Sequence, residues 1–79
     1  MKKSEKIHSV YDLGFRVREF RQEQGLTLEE AASLCGVGIR FLSEFENGKS
    51  TIQMEKALKV AYLIGLDVLV SRRQNFGEE

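Results

Sequence analysis

The stretch Leu28–Phe45 constrains the fold of this chain more than any other, because it carries the residues that two closely crossing helices need. Ala31 and Ala32 are small residues at the point where the helices would nearly touch. Gly36 tolerates the positive φ that a tight turn requires. Apolar side chains that can fill the angle between the helices stand at Cys35, Val37, Leu42 and Phe45. We therefore predict two short helices that cross steeply through a turn of about three or four residues.

Helix start and stop signals divide residues 10–65 into four or five short helices joined by very short turns. Segments that fit a capping box begin at Ser9, Thr27 and Ser50. In such a box, a hydroxyl and the side chain three residues later satisfy free backbone N–H groups. Stop or turn signals stand at Gly25, Gly36, Asn47-Gly48 and Gly65.

Helical spacing of apolar residues predicts which faces of the first and last helices are buried. The first helix would run from about Val10 to Gln24, and its buried face consists of Leu13, Val17 and Phe20. The last helix would begin at the Ser50 capping box, and its apolar face consists of Met54, Leu58 and Ala61.

The composition indicates one small cytoplasmic domain. The chain has 79 residues, with twelve Lys and Arg against twelve Asp and Glu. Cys35 and His8 are the single cysteine and the single histidine, which excludes an internal disulfide framework and a Cys- or His-rich metal site. No apolar run approaches the ~20 residues that span a bilayer. No nucleophile–base pair or phosphate-binding glycine loop is present. We expect no enzymatic activity, no cofactor or metal, and no membrane partner.

The segment after the last predicted helix changes to alternating spacing, since Leu66, Val68 and Val70 fall on one side of an extended chain. A single strand cannot satisfy its own backbone groups, and the sequence predicts no second strand. We therefore predict that residues 66–72 pair antiparallel with the same segment of a second copy, which makes a homodimer. The residues predicted at this interface are Leu66, Val68, Leu69 and Val70.

The window Leu28–Phe45 resembles the helix-turn-helix of the lambda-repressor-like (Cro/C1, XRE) DNA-binding domains. The likeness covers roughly residues 12–66, through Arg18–Arg21, Gly25–Thr27, Glu46–Lys49 and Gly65-Leu66. It implies an all-α, five-helix domain, to which the alternating segment adds one short C-terminal β-strand that pairs with the second subunit. The chain would consist of a flexible N-terminal arm over residues 1–9, a helix-turn-helix domain over 10–65, a dimerisation strand over 66–72 and a polar tail over 73–79.

The resemblance implies that the helix beginning near Gly38 lies in the major groove of double-stranded DNA. With Leu42 and Phe45 pointing inward, the residues left to read bases are Ile39, Arg40, Ser43 and Glu44. An arginine at this place would contact guanine O6 and N7, the isoleucine a thymine methyl group, and the glutamate the N4 amino group of cytosine.

Other positions match family residues that hold the DNA backbone or the fold. The residues implied to bind phosphate are Thr27, Gly38, Asn47 and Lys49. Arg21 and Glu46 match a family pair that forms a structural salt bridge. Leu28 and Gly38 depart from the family pattern, which often has a glutamine and a hydroxyl residue at these two places. Two side-chain phosphate contacts are therefore missing.

The expected ending of helices followed by one strand looks like that of the short HipB-type antitoxins. These are dimeric repressors of their own operon that also bind a HipA-like serine/threonine kinase toxin. The resemblance implies a homodimer on a palindromic operator, with such a kinase as a candidate partner. Two alternatives stay open. One is a standalone phage-type or metabolic repressor without a toxin, and the other is a protein-interaction adaptor that has lost DNA binding. The zero net charge and the missing phosphate contacts favour the adaptor.

Overall fold

The computed structural model describes residues 4–73, and these form four helices. The helices are α1 Val10–Glu23, α2 Leu28–Cys35, α3 Ile39–Glu46 and α4 Met54–Ile64. α1 and α2 each pack against both α3 and α4, so all four helices share one core. None of the helices in the described residues has the length and apolarity that a bilayer span requires.

The first two helices begin at the residues that the capping signals predict. The Ser9 hydroxyl accepts a hydrogen bond from the backbone N–H of Asp12 at 3.1 Å, while the Asp12 carboxylate accepts from the N–H of His8 at 2.9 Å. At α2 the capping box is complete, because Thr27 Oγ1 accepts from Glu30 N at 3.0 Å and Glu30 Oε1 accepts from Thr27 N at 2.9 Å. These bonds satisfy N–H groups that have no partner within the helix.

The crossing of α2 and α3 is confirmed. The residues at most 1% exposed at this crossing are Ala31, Ala32, Cys35, Leu42 and Phe45. Gly36 closes α2 with a φ of 69°, and the N–H of Val37 donates to Ala32 O at 3.0 Å. A residue with a Cβ is strained at that φ, so the glycine sets the angle at which α3 leaves α2.

The fourth helix starts later than predicted, and of its predicted apolar face only Ala61 is buried. Its N-cap is Gln53, and Ser50 lies in the preceding turn and does not cap it. Met54 and Leu58, predicted on the apolar face, are 48% and 42% exposed. The buried face of α4 consists of Ala57, Val60, Ala61 and Ile64. Both the predicted set and the observed set of residues recur at helical spacing, so the sequence pattern alone does not choose between them. The packing of α4 against α1 and α2 decides which set is buried.

A close approach between α1 and the end of α3 depends on Gly14. A Cβ at this buried glycine would lie 2.0 Å from the backbone oxygen of Phe45 and 3.2 Å from the Cα of Glu46. No neighbouring backbone can move aside cheaply, so only a residue without a side chain lets the two helices meet here. This contact was not part of the sequence prediction.

The prediction of five helices and a C-terminal strand is wrong for residues 4–73, which contain four helices and no strand. The N–H of Leu66 donates to Ala61 O at 2.8 Å and closes α4 after Gly65, whose φ is 113°. Residues 67–73 then run exposed and without regular structure. Alternating apolar residues make a strand only where another strand accepts their backbone hydrogen bonds, and the described part of the subunit supplies none. Residues 1–3 of the predicted arm and residues 74–79 of the predicted tail lie outside the described residues.

Candidate nucleic-acid interface

α3 has one buried side and one open side. Leu42 and Phe45 are fully buried against the other helices, as predicted. On the opposite side, Ile39 is 46% exposed, and the Arg40 side chain extends almost entirely into solvent. α3 therefore presents an uncovered surface, while its inner side chains hold it rigidly in the domain.

Arg21 of α1 and Glu46 at the end of α3 form a buried, two-bond ion pair. Arg21 Nε donates to Glu46 Oε2 at 2.7 Å, and Arg21 Nη2 donates to Glu46 Oε1 at 2.9 Å. The third nitrogen, Nη1, donates to the backbone oxygen of Leu26 at 2.9 Å. The hydrogen bond to Glu46 raises the pKa of Arg21 above its ordinary value, although burial acts in the opposite direction. The pair ties the loop before α2 and the last turn of α3 to one arginine.

A second group of charges lies on the open side of α3, and we call Arg40, Glu44 and Lys49 the α3 ion cluster. Arg40 Nε lies 3.3 Å from Glu44 Oε2, and Lys49 Nζ lies 3.2 Å from Glu44 Oε1. The hydrogen bond from Lys49, followed by that from Arg40, lowers the pKa of Glu44 below its ordinary value. One ionised carboxylate is thus shared by two cations that are predicted, from the family resemblance, to contact DNA.

The four residues predicted to bind phosphate are all exposed; three stand at helix ends, and Lys49 lies in the loop after α3. Thr27 and Gly38 are the N-caps of α2 and α3, where free N–H groups and the helix dipole favour an anion. Asn47 follows α3 directly, and its side-chain amide donates to Ser43 O at 2.8 Å. The N–H of Lys49 donates to Glu44 O at 3.0 Å, which fixes the loop that carries the lysine.

A shallow notch of about 170 Å³ adds a residue that the sequence prediction did not assign to DNA, namely Arg18. The notch is lined by Arg18, Arg21, Leu28, Ser43, Glu46 and Asn47. Arg21 is occupied by Glu46, so Arg18, which is exposed, is the arginine of the notch that can face a ligand. Arg18 lies three residues before Arg21 and therefore on the same side of α1. This helical spacing is the sequence signal from which Arg18 could have been predicted.

The residues predicted at the dimer interface follow α4, in the C-terminal part of the described residues. Leu66 is half-buried, whereas Val68, Leu69 and Val70 are 45%, 73% and 97% exposed. Next to them is an open groove of about 260 Å³, lined by Leu58, Tyr62, Leu66, Asp67 and Val68. Within residues 4–73 no cluster of three or more His, Cys, Asp or Glu side chains is placed to hold a metal ion.

Comparison with known proteins identifies the family. Residues 17–69 match a family model described as helix-turn-helix. The chain belongs to this family. A transcriptional regulator of the helix-turn-helix type from Sinorhizobium fredii, y4mF, is 38% identical over 65 residues, which make up 82% of this chain and 86% of the relative. The regulator DdrOP3 of Deinococcus deserti is 34% identical over 53 residues, 67% of this chain and 41% of that longer protein. The family prediction is confirmed, and the chain is a helix-turn-helix transcriptional regulator of the XRE type.

Solved structures share the fold. HipB in a complex with the O4 20mer superposes with a TM-score of 0.79 at 24% identity, over 90% of this chain and all of that one. HipB in a complex with HipA, O2 and O3 gives the same values. The clp gene regulator ClgR of C. glutamicum has a TM-score of 0.66 at 32% identity, over 84% of this chain and 85% of its own. The HipB likeness establishes the arrangement of helices.

Proposed function

We propose that the protein is a dimeric, sequence-specific DNA-binding repressor whose helix α3 enters the major groove. The observation that carries this proposal is the two-sided character of α3. Its inner residues are buried and its last turn is held by the Arg21–Glu46 pair, while Ile39 and Arg40 stand uncovered. A helix with a fixed inner side and an uncovered outer side that carries both an arginine and an apolar residue has the geometry that major-groove reading needs.

Base reading would fall to Ile39, Arg40 and Ser43. Arg40 can donate from two guanidinium nitrogens to O6 and N7 of one guanine, and Ile39 can contact a thymine methyl group. Glu44 at the same face could accept from cytosine N4, although two cations already occupy its carboxylate.

Phosphate binding would come from the ends of the helices. The Thr27 hydroxyl accepts one hydrogen bond from Glu30 and keeps its own proton for a phosphate oxygen. Lys49, Asn47 and Arg18 lie near the end of α3 or line the notch beside it. These contacts would set the register of α3 on the duplex without reading sequence.

Dimerisation is supported by exposed apolar side chains on the last turn of α4 and in the segment after it. Tyr62, Leu69 and Val70 are 71%, 73% and 97% exposed, an arrangement typical of a surface that another protein covers. We propose a second copy as that protein, because one α3 touches few base pairs and a two-fold dimer doubles the readout. Sedimentation of the protein with Leu69→Asp tests this, with Ser71→Asp as the matched control. We expect a monomer for the first variant and a dimer for the control; a monomeric parent protein would contradict the proposal.

Selection of bound fragments from random-sequence DNA tests the function itself. We expect a palindromic consensus whose half-sites are separated by about 34 Å, one turn of the duplex. Enrichment of no sequence would contradict the repressor and favour the alternative of an adaptor that does not bind DNA.

The finer role that we propose is the antitoxin of a HipBA-like operon. It is supported by the arrangement of helices that this chain shares with HipB over 90% of its residues, at a TM-score of 0.79, and by the solved complex of HipB with HipA. The experiment is co-expression with the neighbouring reading frame. A kinase-like product that co-purifies with the protein supports the antitoxin, whereas a neighbour of another kind, or no co-purification, supports the standalone repressor.

A further inference from the structure

The α3 ion cluster places the anion of Glu44 between two cations that DNA binding would use. Arg40 and Lys49 approach different oxygens of the carboxylate, so both pairs exist at the same time. Residues 28–48 carry one arginine against four glutamates, which makes the charge balance of this region negative. The carboxylate of Glu44 therefore offsets part of the positive charge that Arg40 and Lys49 place on the open side of α3.

We propose that Glu44 is a specificity-determining residue that acts on Arg40 and Lys49 within the protein and does not read a base. It holds the Arg40 side chain in place and occupies Lys49, and so lowers the affinity for unrelated DNA more than the affinity for the operator. This inference rests on the proposed DNA-binding function and assigns a role within it.

The atoms used by the Arg40 bond support positioning. Glu44 accepts from Nε, the guanidinium nitrogen nearest the main chain, and no residue from 4 to 73 makes a hydrogen bond with Nη1 or Nη2. Those two nitrogens suffice for an end-on contact with guanine O6 and N7. The side chain as a whole is 90% exposed, so the bond orients it and does not bury it. Arg40 can thus read its base with the Glu44 bond intact.

Binding to unrelated DNA depends on phosphates, and there the carboxylate acts against binding. Non-specific affinity comes from cations that neutralise phosphates and release counterions. Lys49 must break its hydrogen bond with Glu44 to neutralise a phosphate fully, and the Glu44 carboxylate is then left close to the duplex. This cost is common to both kinds of DNA. At the operator, however, the Glu44 bond also orients Arg40 for its base contact, and this gain, which unrelated DNA lacks, offsets the cost there.

The test compares Glu44→Gln with the parent protein on two duplexes, the sequence selected from random DNA and a scrambled duplex of the same composition. Fluorescence anisotropy over a salt series gives affinity and salt slope for each. Glu29→Gln is the matched control, because it makes the same charge change on the exposed first turn of α2, and Glu29 forms no ion pair with a residue that the structure describes. Circular dichroism checks that both variants are folded.

We expect Glu44→Gln to bind the scrambled duplex roughly three- to tenfold more tightly than the parent at low salt, since one unit charge acts on a nearby phosphate. The salt slope should steepen by up to about 0.9 if Lys49 gains one phosphate. The ratio of operator to scrambled affinity should fall, and Glu29→Gln should change both quantities less. Equal effects of the two variants would overturn the inference, since net charge would then suffice. A loss of operator affinity without a gain on scrambled DNA would also overturn it, because Glu44 would then read a base.

A double-mutant cycle ties the effect to the contacts seen. In a background with Arg40→Gln and Lys49→Gln, Glu44→Gln should gain no more scrambled-DNA affinity than Glu29→Gln does. A gain as large as in the parent background would contradict the ion-cluster mechanism. If the proposed sequence-specific function is wrong, the parent protein binds both duplexes equally. The effect of Glu44→Gln on the affinity for the scrambled duplex would then still show whether Glu44 weakens binding to phosphates. Binding of neither duplex by any of these proteins would contradict both proposals.

Discussion

Helix α3 takes part in two arginine–glutamate ion pairs that lie in opposite surroundings. On its inner side, the Arg21 and Glu46 side chains are 11% and 5% exposed, and their distance is 2.7 Å. On its outer side, the Arg40 and Glu44 side chains are 90% and 32% exposed, and the distance is 3.3 Å. Water can replace either partner of the outer pair, but it has little access to the inner pair. We infer that the inner pair holds the fold, while the outer pair contributes little to folding and orients Arg40 on the open side of α3.

Removal of Arg21 should produce the largest effect. Arg21→Ala leaves the Glu46 carboxylate buried without a partner, and it frees Leu26 O as well. Such a loss typically costs about 3–5 kcal/mol, a large share of the stability of a small domain. Urea unfolding followed by circular dichroism measures the change.

Two further variants sharpen this prediction. Arg18→Ala, one turn earlier on the same helix and exposed, should leave the unfolding midpoint nearly unchanged. Adding Glu46→Leu to Arg21→Ala should recover part of the loss, since no buried charge then remains. If Arg21→Ala proves as harmless as Arg18→Ala, the inner pair does not hold the fold.

Gly14 tests the packing that brings Glu46 to Arg21. In Gly14→Ala the new methyl group would overlap the Phe45 carbonyl, and overpacking of this kind costs about 1–3 kcal/mol or more. Alanine favours a helix by about 1 kcal/mol over glycine, which offsets part of that cost. We expect a net loss of stability in urea unfolding. A more stable variant would mean that α1 and α3 can separate without penalty.

Arg40→Ala should leave the fold intact and change DNA recognition. Loss of one bidentate guanine contact typically relaxes base preference by about 1–3 kcal/mol at a single position. Binding to a set of operators with single base-pair changes reveals the affected position. Unchanged discrimination at every position would show that α3 does not read bases through this residue.

Lowering the pH should weaken the Arg40–Glu44 pair, and we expect this effect on stability to be the smallest of those predicted. The pKa of Glu44 is lower in the folded protein than in the unfolded chain, because Lys49 and Arg40 donate to its carboxylate. Its contribution to stability is therefore present above the unfolded glutamate pKa and is lost as the pH falls through the lowered, folded value. The difference in unfolding midpoint between the parent and Glu44→Gln should shrink over this range. A difference that stays constant with pH would show that the pairs contribute nothing.

Local signals explain which predictions hold. The Thr27 capping box and the Gly36 turn depend on a few adjacent residues, so the sequence determines them before any packing. The Arg21–Glu46 contact was assigned through the family resemblance, since 25 residues separate the two partners. The Ser50 box also has the right residues, but Gln53 is the N-cap. A capping pattern becomes a cap only if the helix that follows can pack.

The starts of α1 and α2 and the tight turn between α2 and α3 were therefore set by residues close together in the sequence, and the window Leu28–Phe45 that holds this turn carried the family resemblance. Tertiary structure decided three other features: which face of α4 is buried, the approach that Gly14 permits, and the conformation of the segment after Leu66. Each depends on atoms from distant parts of the chain. Leu66, Val68 and Val70 alternate as a strand would, yet backbone hydrogen bonds between strands need a neighbour, and residues 4–73 of one subunit offer none.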